Sequence, residues 1–256
     1  MPVVLPGIRR VEHVMGMPIV ADVRDEGVDD GTLDEMFDWL RWVDATFSTY
    51  KDDSEVSRLN RGELTLAHAH REVLWVLDRC EQLRLQTDGY FDVRAASPDV
   101  VDPSGFVKGW SIDRAAALLD DAGLRNYAVN AAGDMRLRGR AVPDSSWRVG
   151  IQHPLHRDKV AKVIDATDLA VATSGEYERG RHVFDPHTHE PPEGGILSVT
   201  ITGPELATAD ALATAVFAMG AERATRWTAR LQGYEAMTIL ADGRVLLTPG
   251  FGRGLS

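Results

Sequence analysis

A segment near the end of the chain places a carboxylate and a hydroxyl at a spacing that suits metal binding. Residues 203–220 read GPELATADALATAVFAMG, an Ala-rich apolar run that predicts a helix and that Asp210 and Thr214 interrupt. The two side chains are four residues apart, so they leave the same face of a helix one turn apart. Their oxygens can bind a hard cation such as Mg²⁺. The alternative is a solvated stripe on which the Thr214 hydroxyl bonds back to the Asp210 carbonyl.

Composition and charge narrow the class of protein. The 256 residues are 44% hydrophobic and 26% charged, as in an ordinary globular protein, and the formal net charge is -11. This acidic balance argues against nucleic-acid partners and against docking on anionic membranes. A single cysteine, Cys80, excludes an intrachain disulfide and a thiolate metal cluster. Without a signal-peptide pattern or an 18-residue apolar run, we expect a cytoplasmic protein.

The order of helical and strand patterns predicts the fold class. Helices and strands alternate without a regular βαβ rhythm, and several strands read as hairpins. This favours an α+β fold, with a mixed, largely antiparallel sheet and packed helices, over a doubly wound fold. The sequence contains no repeat and no long linker, so we expect one domain over residues 1–256.

Local patterns predict the position of several elements. A strand-like alternation over residues 11–24 is interrupted by the Met-Gly pair at 15–16, which indicates a bulge or a close backbone approach. The turn signal DPSG at residues 102–105 leads into a predicted helix over residues 108–122. The Asp-Gly pair at 242–243 predicts a type I′ turn in a C-terminal hairpin.

The stretch DPSGFVKGWSIDRAAALL places Lys108 at the start of a helix, where an anion can bind. Free backbone N–H groups at a helix start attract anions. The spacing is not that of a P-loop, because G-x-x-x-x-G-K-[ST] is absent from the sequence. A simple turn followed by a helix cap explains the same residues.

A loop rich in charge, Gly and Pro holds three histidines, His182, His187 and His189, together with Asp185. The spacing H-x-x-D-x-H-x-H matches no standard zinc pattern, and Pro186 prevents a regular helix from aligning the ligands. A single histidine acting as an acid–base group fits better, because imidazole titrates near neutrality.

Taken in order, these stretches resemble a known family, the ApbE-like FAD:protein FMN transferases. The resemblance covers residues 15–220, about four-fifths of the chain. Each block has little specificity alone, and the order of all eight carries the resemblance. The blocks are Met15-Gly16, STYKDDSEVSRLN, GYFDV, DPSGFVKGWSIDRAAALL, VNAAGD, ATSGEYER, RHVFDPHT and SVTITGPELATADALATAVFAMG.

The resemblance implies both a fold and a reaction. The fold would be ApbE-like, or T-fold-like, in one FAD-binding domain. The reaction would be the Mg²⁺-dependent transfer of the FMN half of FAD to a Thr or Ser hydroxyl of a target flavoprotein, with release of AMP. Positioning and charge neutralisation do most of the catalysis in such phosphoryl transfers. The implied partners are FAD, as substrate, and the acceptor flavoprotein, without nucleic acid or membrane.

The resemblance also implies roles for residues at matching positions. His182 would activate the acceptor hydroxyl. Asp185 would orient His182 or shape the loop. The side chains of Asp210 and Thr214 would bind the metal. Backbone carbonyls near two further residues would complete the metal shell: Gly105 and Ala207. Eight residues would line the FAD site: Met15, Tyr50, Tyr90, Phe91, Asp92, Asp102, Lys108 and Phe184. Aromatic residues at such positions also pack in cores, which is the alternative for the tyrosines and Phe91.

The chain departs from the family pattern at one position and in its length. The turn Asp-Pro-x-Thr usually ends in Gly, and here His189 follows Thr188. A Gly there serves a positive φ, which His tolerates at some cost. The chain is short and begins without a lipoprotein-type leader, which favours a cytoplasmic acceptor. Two alternatives remain open: Mg²⁺-dependent FAD hydrolysis to FMN and AMP, and FAD binding without turnover.

Overall fold

The computed structural model describes residues 7–175, 183–192 and 194–252. The α-helices are α1 Asp30–Phe47, α2 Glu55–Asn60, α3 Arg71–Gln86, α4 Ser104–Asp121, α5 Leu206–Ala218 and α6 Gly220–Thr228. The first strands are β1 Ile8–Val14, β2 Met17–Val23, β3 Tyr127–Ala131, β4 Asp134–Arg138, β5 Arg140–Val142 and β6 Ser145–His153. The others are β7 His156–Ala166, β8 Leu169–Gly175, β9 Ile196–Gly203, β10 Glu235–Leu240 and β11 Val245–Leu247.

An antiparallel sheet forms the centre of the molecule. Its strand order is β1-β2-β3-β4-β8-β9-β10-β11, and each neighbouring pair runs antiparallel. A smaller sheet, β5-β6-β7, is formed by the chain between β4 and β8. This arrangement confirms the predicted α+β fold with a largely antiparallel sheet. The single domain over residues 1–256 stays a prediction.

Two hydrophobic cores lie on opposite faces of the large sheet. The larger core joins that sheet to the helices, and the smaller one joins it to β6, β7 and Phe251. Helix α5 packs against α4, β8 and β9. Every side chain of α5 except Thr208 and Thr214 is buried, which explains why its sequence is apolar on nearly all sides.

The Met-Gly pair at 15–16 forms a hairpin turn rather than a bulge within one strand. Met15 and Gly16 have φ values of 54° and 72°, and β1 pairs with β2 up to Val14 and Met17. Two consecutive positive φ values define a type I′ connection, which fits the twist of a hairpin. The single interrupted strand was therefore a wrong prediction, because Met is not a typical residue for this turn.

Two further predictions of local structure need correction. Helix α4 begins at Ser104, four residues earlier than expected, and the Asp102 carboxylate accepts a hydrogen bond from the Ser104 N–H at 3.0 Å. The C-terminal hairpin does form, but between Asp242 and Gly243 only Gly243 has a positive φ. The turn is therefore not type I′. The Leu240 N–H bonds to Arg244 O, so the loop is longer than the two residues predicted.

Among the described residues, none of the helices combines the length and the apolar character that crossing a lipid bilayer requires.

Candidate active site

A cleft of about 580 Å³ opens where several parts of the chain meet. The β1–β2 turn and the segment after α1 form one side, and residues 90–96 with the start of α4 form another. The end of β8, residues 183–184 and the polar face of α5 close the remaining sides. The sequence blocks that are distant along the chain thus converge on one cavity.

Lys108 and Asp210 line the floor of this cleft, and the buried Asp134 carboxylate contacts Lys108. Lys108 Nζ lies 2.5 Å from Asp134 Oδ2 and 3.5 Å from Asp210 Oδ1. Asp134 is 2% exposed and Asp210 is 3% exposed. Backbone N–H groups hold the other oxygens, from Gly109 to Asp210 Oδ2 at 3.2 Å and from Thr173 to Asp134 Oδ1 at 2.9 Å. The burial of Asp210 rules out the solvated stripe.

The environment of Asp210 makes its carboxyl group harder to ionise than that of an aspartate in water. Burial raises its pKa to about 7; the Lys108 ammonium opposes this shift, and the Asp134 carboxylate adds to it. Two carboxylates facing a single ammonium give the floor a surplus negative charge once Asp210 ionises. A cation bound there would relieve that surplus, so the charge pattern suits a metal ion as well as the oxygen ligands do.

Hydroxyl groups and a close backbone approach extend the floor beside Asp210. Thr214 Oγ1 lies 3.4 Å from Ser174 Oγ, at the end of β8. At Gly105, in the first turn of α4, an added Cβ would lie 3.4 Å from Thr214 Oγ1 and 3.4 Å from Phe91. The absence of a side chain at Gly105 thus keeps the α4 backbone accessible beside the Thr214 hydroxyl.

The predicted FAD-contacting residues all line the cleft: Met15, Tyr50, Tyr90, Phe91, Asp92, Asp102, Lys108 and Phe184. Tyr90 and Phe91 are 9% and 3% exposed, so they also serve the core, whereas Tyr50 is 95% exposed at the mouth of the cleft. A core role for Tyr50 is therefore excluded. The Arg223 guanidinium lies 5.1 Å from the Tyr90 ring centroid, and this cation–π contact helps to hold the Tyr90 ring in place.

Two predicted site residues within the described ranges, Ala207 and Asp185, do not line the cleft. Ala207 lines a second cavity beyond α4, and its N–H donates to the Asp113 carboxylate at 2.8 Å. Asp185 forms a turn with its own neighbours, accepting from the His187 N–H through Oδ1 at 2.9 Å. His182 lies outside the described residues. The loop-shaping role of Asp185 fits its contacts, while its effect on His182 stays a prediction.

The expected positive φ at the family glycine position is confirmed. His189 has a φ of 58°, and Asp185 pairs with Glu190 in an isolated antiparallel bridge that closes the turn. His189 Nδ1 lies 2.9 Å from the Ala95 carbonyl oxygen. The His187 ring meets Tyr90 edge-on with a centroid distance of 4.6 Å. Both imidazoles thus contact the wall formed by residues 90–96.

Sequence reasoning did not single out Asp134, although it lies in the block VNAAGD. Asp134 follows Ala132 and Gly133, which have φ values of 50° and 106°, so it opens β4 directly after a tight turn. Its sequence context indicated only the turn. The contact to Lys108 depends on how α4 crosses β4, which no local pattern reveals.

Across the described ranges, no cluster of three or more His, Cys, Asp or Glu residues could hold a metal ion. The donors at the floor are instead mixed: Asp210, the Thr214 hydroxyl and the backbone near Gly105. Mg²⁺ commonly takes one or two carboxylates and completes its shell with water and substrate phosphates. The donor set therefore fits a magnesium ion shared with a phosphate ligand better than a metal site built from protein alone.

Comparison with known proteins defines the class. The ApbE family model matches residues 15–99 and 96–238. The chain therefore belongs to the ApbE family.

Named relatives and solved structures agree with this assignment. A FAD:protein FMN transferase of Vibrio cholerae is 30% identical over 240 residues, covering 72% of each chain. One of Salmonella typhimurium is 31% identical over 180 residues, covering 66% of this chain and 49% of that protein. The structure of the flavin transferase ApbE from Vibrio cholerae has a TM-score of 0.85 at 25% identity, over 95% of this chain and 97% of the other. The ApbE protein of Thermotoga maritima has the same fold, with a TM-score of 0.85 at 22% identity.

Proposed function

We propose that the protein transfers the FMN moiety of FAD to a Thr or Ser hydroxyl of a target flavoprotein and releases AMP. The observation that carries the proposal is the convergence of the family blocks on one cleft, with Lys108, Asp210 and Thr214 at its floor. The relatives named FAD:protein FMN transferases support the same reaction. Their names imply FAD as the donor and a protein as the acceptor. That a Thr or Ser hydroxyl of that acceptor receives the FMN is our own proposal.

The reaction is a displacement at the phosphorus that carries the riboflavin side of the FAD pyrophosphate. The acceptor oxygen forms a bond to that phosphorus while the bond to the bridging oxygen breaks. AMP leaves with the bridging oxygen, and the hydroxyl proton passes to a base. Negative charge grows on the leaving oxygen, so cationic groups near the pyrophosphate lower the barrier.

The floor of the cleft holds the groups that would receive this charge. Lys108 is a compact cation fixed by Asp134, so its ammonium needs little reorganisation to meet a phosphate oxygen. Asp210, Thr214 and backbone carbonyls near Gly105 and Ala207 would hold Mg²⁺, and Ala207 also lines the second cavity. Bound Mg²⁺ would supply Lewis-acid polarisation of the phosphorus and stabilisation of the leaving oxygen.

The remaining walls would hold the rings of FAD. Tyr50, at 95% exposure, presents a free aromatic face at the mouth of the cleft, whereas Tyr90 and Phe91 offer fixed apolar edges. Aromatic faces stack on flat heterocycles with little loss of entropy. Met15, in the β1–β2 turn, lines the cavity on the side of Tyr50.

His182 is our proposed base for the acceptor hydroxyl. We expect His182→Ala to lower the rate of transfer by about 10²- to 10⁴-fold, the usual contribution of a positioned acid–base group. FAD affinity should change by less than about twofold, because a base that acts on the acceptor hydroxyl contributes little to the binding of FAD. Rates and equilibrium titrations with FAD measure the two effects separately. His156→Ala, at an exposed position of β7, is the matched control. A large loss of FAD binding in His182→Ala would show that the assigned role is wrong.

FAD hydrolysis and simple FAD storage are the alternatives, and one experiment separates all three. The protein is incubated with FAD, Mg²⁺ and candidate flavoproteins from the same organism, and the products are separated by denaturing electrophoresis. A flavin-fluorescent acceptor band supports transfer. Free FMN and AMP without that band indicate hydrolysis, and FAD recovered intact indicates a binding protein. The cytoplasmic location and the absence of nucleic-acid or membrane partners stay predictions from the sequence.

A further inference from the structure

Residues 183 and 184 of the loop of residues 183–192 line the cleft, and two histidine side chains of this loop contact residues 90–96. Val183 and Phe184 line the cavity directly. Five residues further on, His189 reaches the Ala95 carbonyl, and Ala95 lines the same cavity. A carbonyl oxygen only accepts, so the Nδ1 atom of His189 carries the proton in this contact. The bond joins two segments that are 94 residues apart in sequence.

The backbone at residue 189 does not favour a histidine. Its φ of 58° lies in the left-handed region, which is unfavourable for an L-residue and which glycine adopts freely. The turn around it is already closed by backbone bonds, since the Thr188 and His189 N–H groups both donate to Asp185 O. The side chain is therefore not needed to form the turn, and its contact with Ala95 is the feature that glycine would lack.

We propose that His189 is a positioning residue that ties the loop of residues 183–192 to the wall of residues 90–96. It thereby fixes the chain segment directly after residue 182 relative to the bound substrate. The edge-on contact of His187 with Tyr90 supports the same face of the loop. This inference rests on the proposed function for its catalytic consequence. We call the hydrogen bond between His189 and the Ala95 carbonyl the tether, and its existence depends only on the contacts of His189.

Hydrogen exchange tests the tether without any assay of activity. In His189→Gly, amide exchange across residues 185–190 should accelerate about fivefold, the factor that corresponds to one net hydrogen bond. His189→Ala should accelerate exchange as well, because it also lacks the imidazole. His68→Ala is the control, since His68 makes a similar Nδ1 contact, 2.9 Å from Thr65 Oγ1, but does not line the cleft. Slower or unchanged exchange in His189→Gly would overturn the tether, because it would mean that histidine only strains the turn.

Kinetics of the same variants tests the positioning role. We expect His189→Gly to lower kcat for FMN transfer by about fivefold while the KM for FAD changes by less than about twofold, because one bond is lost and the cleft floor is untouched. Accelerated exchange with unchanged kcat would overturn the positioning role. If the wild-type protein transferred no FMN at all, the proposed function would fail, and the exchange experiment would still decide whether the tether exists.

Discussion

Replacing Asp210 by asparagine should reduce Mg²⁺-dependent FMN transfer at least about 100-fold. The asparagine side chain would keep the shape of the aspartate and one oxygen atom, but it lacks the charge that a hard cation needs. The loss follows from the several kcal/mol that a metal ion contributes to charge stabilisation at a reacting phosphate. Initial rates over a range of Mg²⁺ concentrations measure the effect, and the Mg²⁺ concentration for half-maximal rate should also rise.

The control for this substitution is Asp158→Asn, which removes the same charge at an exposed position of β7. It should leave both the rate and the Mg²⁺ dependence unchanged. Circular dichroism checks that the Asp210 variant is folded. Full activity of a folded Asp210→Asn protein would exclude Asp210 as a metal ligand. Asp210→Ala should give the same loss, which separates the missing charge from any new contact of the amide.

Replacing Lys108 by methionine should lower the free energy of unfolding by about 3 kcal/mol, because breaking a buried ion pair by removing one partner leaves charge without compensation. The ammonium is the counter-ion of two carboxylates that are 2% and 3% exposed, Asp134 and Asp210. Removing both partners of such a pair is far less costly than removing one. Urea unfolding at neutral pH, with a chelator present, measures the difference.

A second substitution separates the ion pair from the loss of packing. The double variant Lys108→Met/Asp134→Asn should recover more than about half of the lost stability, because it also removes the nearer carboxylate charge. It should remain inactive in FMN transfer, since Lys108 is absent. A Lys108→Met protein within about 0.5 kcal/mol of the wild type would contradict the buried charge cluster.

The sequence predicted the fold class and the main helices because those depend on periodic burial. The sequence shows both the apolar run of α5 and its interruption by Asp210 and Thr214. These two polar residues lie at the cleft floor in the structure. The early start of α4 was missed because the Asp102 carboxylate bonds to the Ser104 N–H, a contact that the DPSG pattern presented only as a turn. Periodicity identifies faces of elements and is less informative about their ends.

The contacts between distant elements could not be predicted from local patterns. The pair of Lys108 and Asp134 joins α4 to the first residue of β4, and only the crossing of these elements brings them together. The position of Ala207 was equally hidden from the sequence. This residue lies one turn before Asp210 on α5, yet the helix turns it toward the second cavity. Spacing showed which residues share a helix face, and tertiary packing decided what each face meets.

The stoichiometry of AMP release against acceptor labelling tests the central claim most directly. Purified protein, FAD, Mg²⁺ and an acceptor flavoprotein are mixed, AMP is quantified by chromatography, and the labelled acceptor peptide is located by mass spectrometry. We predict one AMP for each FMN bound through a phosphoester to a Thr or Ser. Release of AMP with an equal amount of free FMN and an unmodified acceptor would contradict the account.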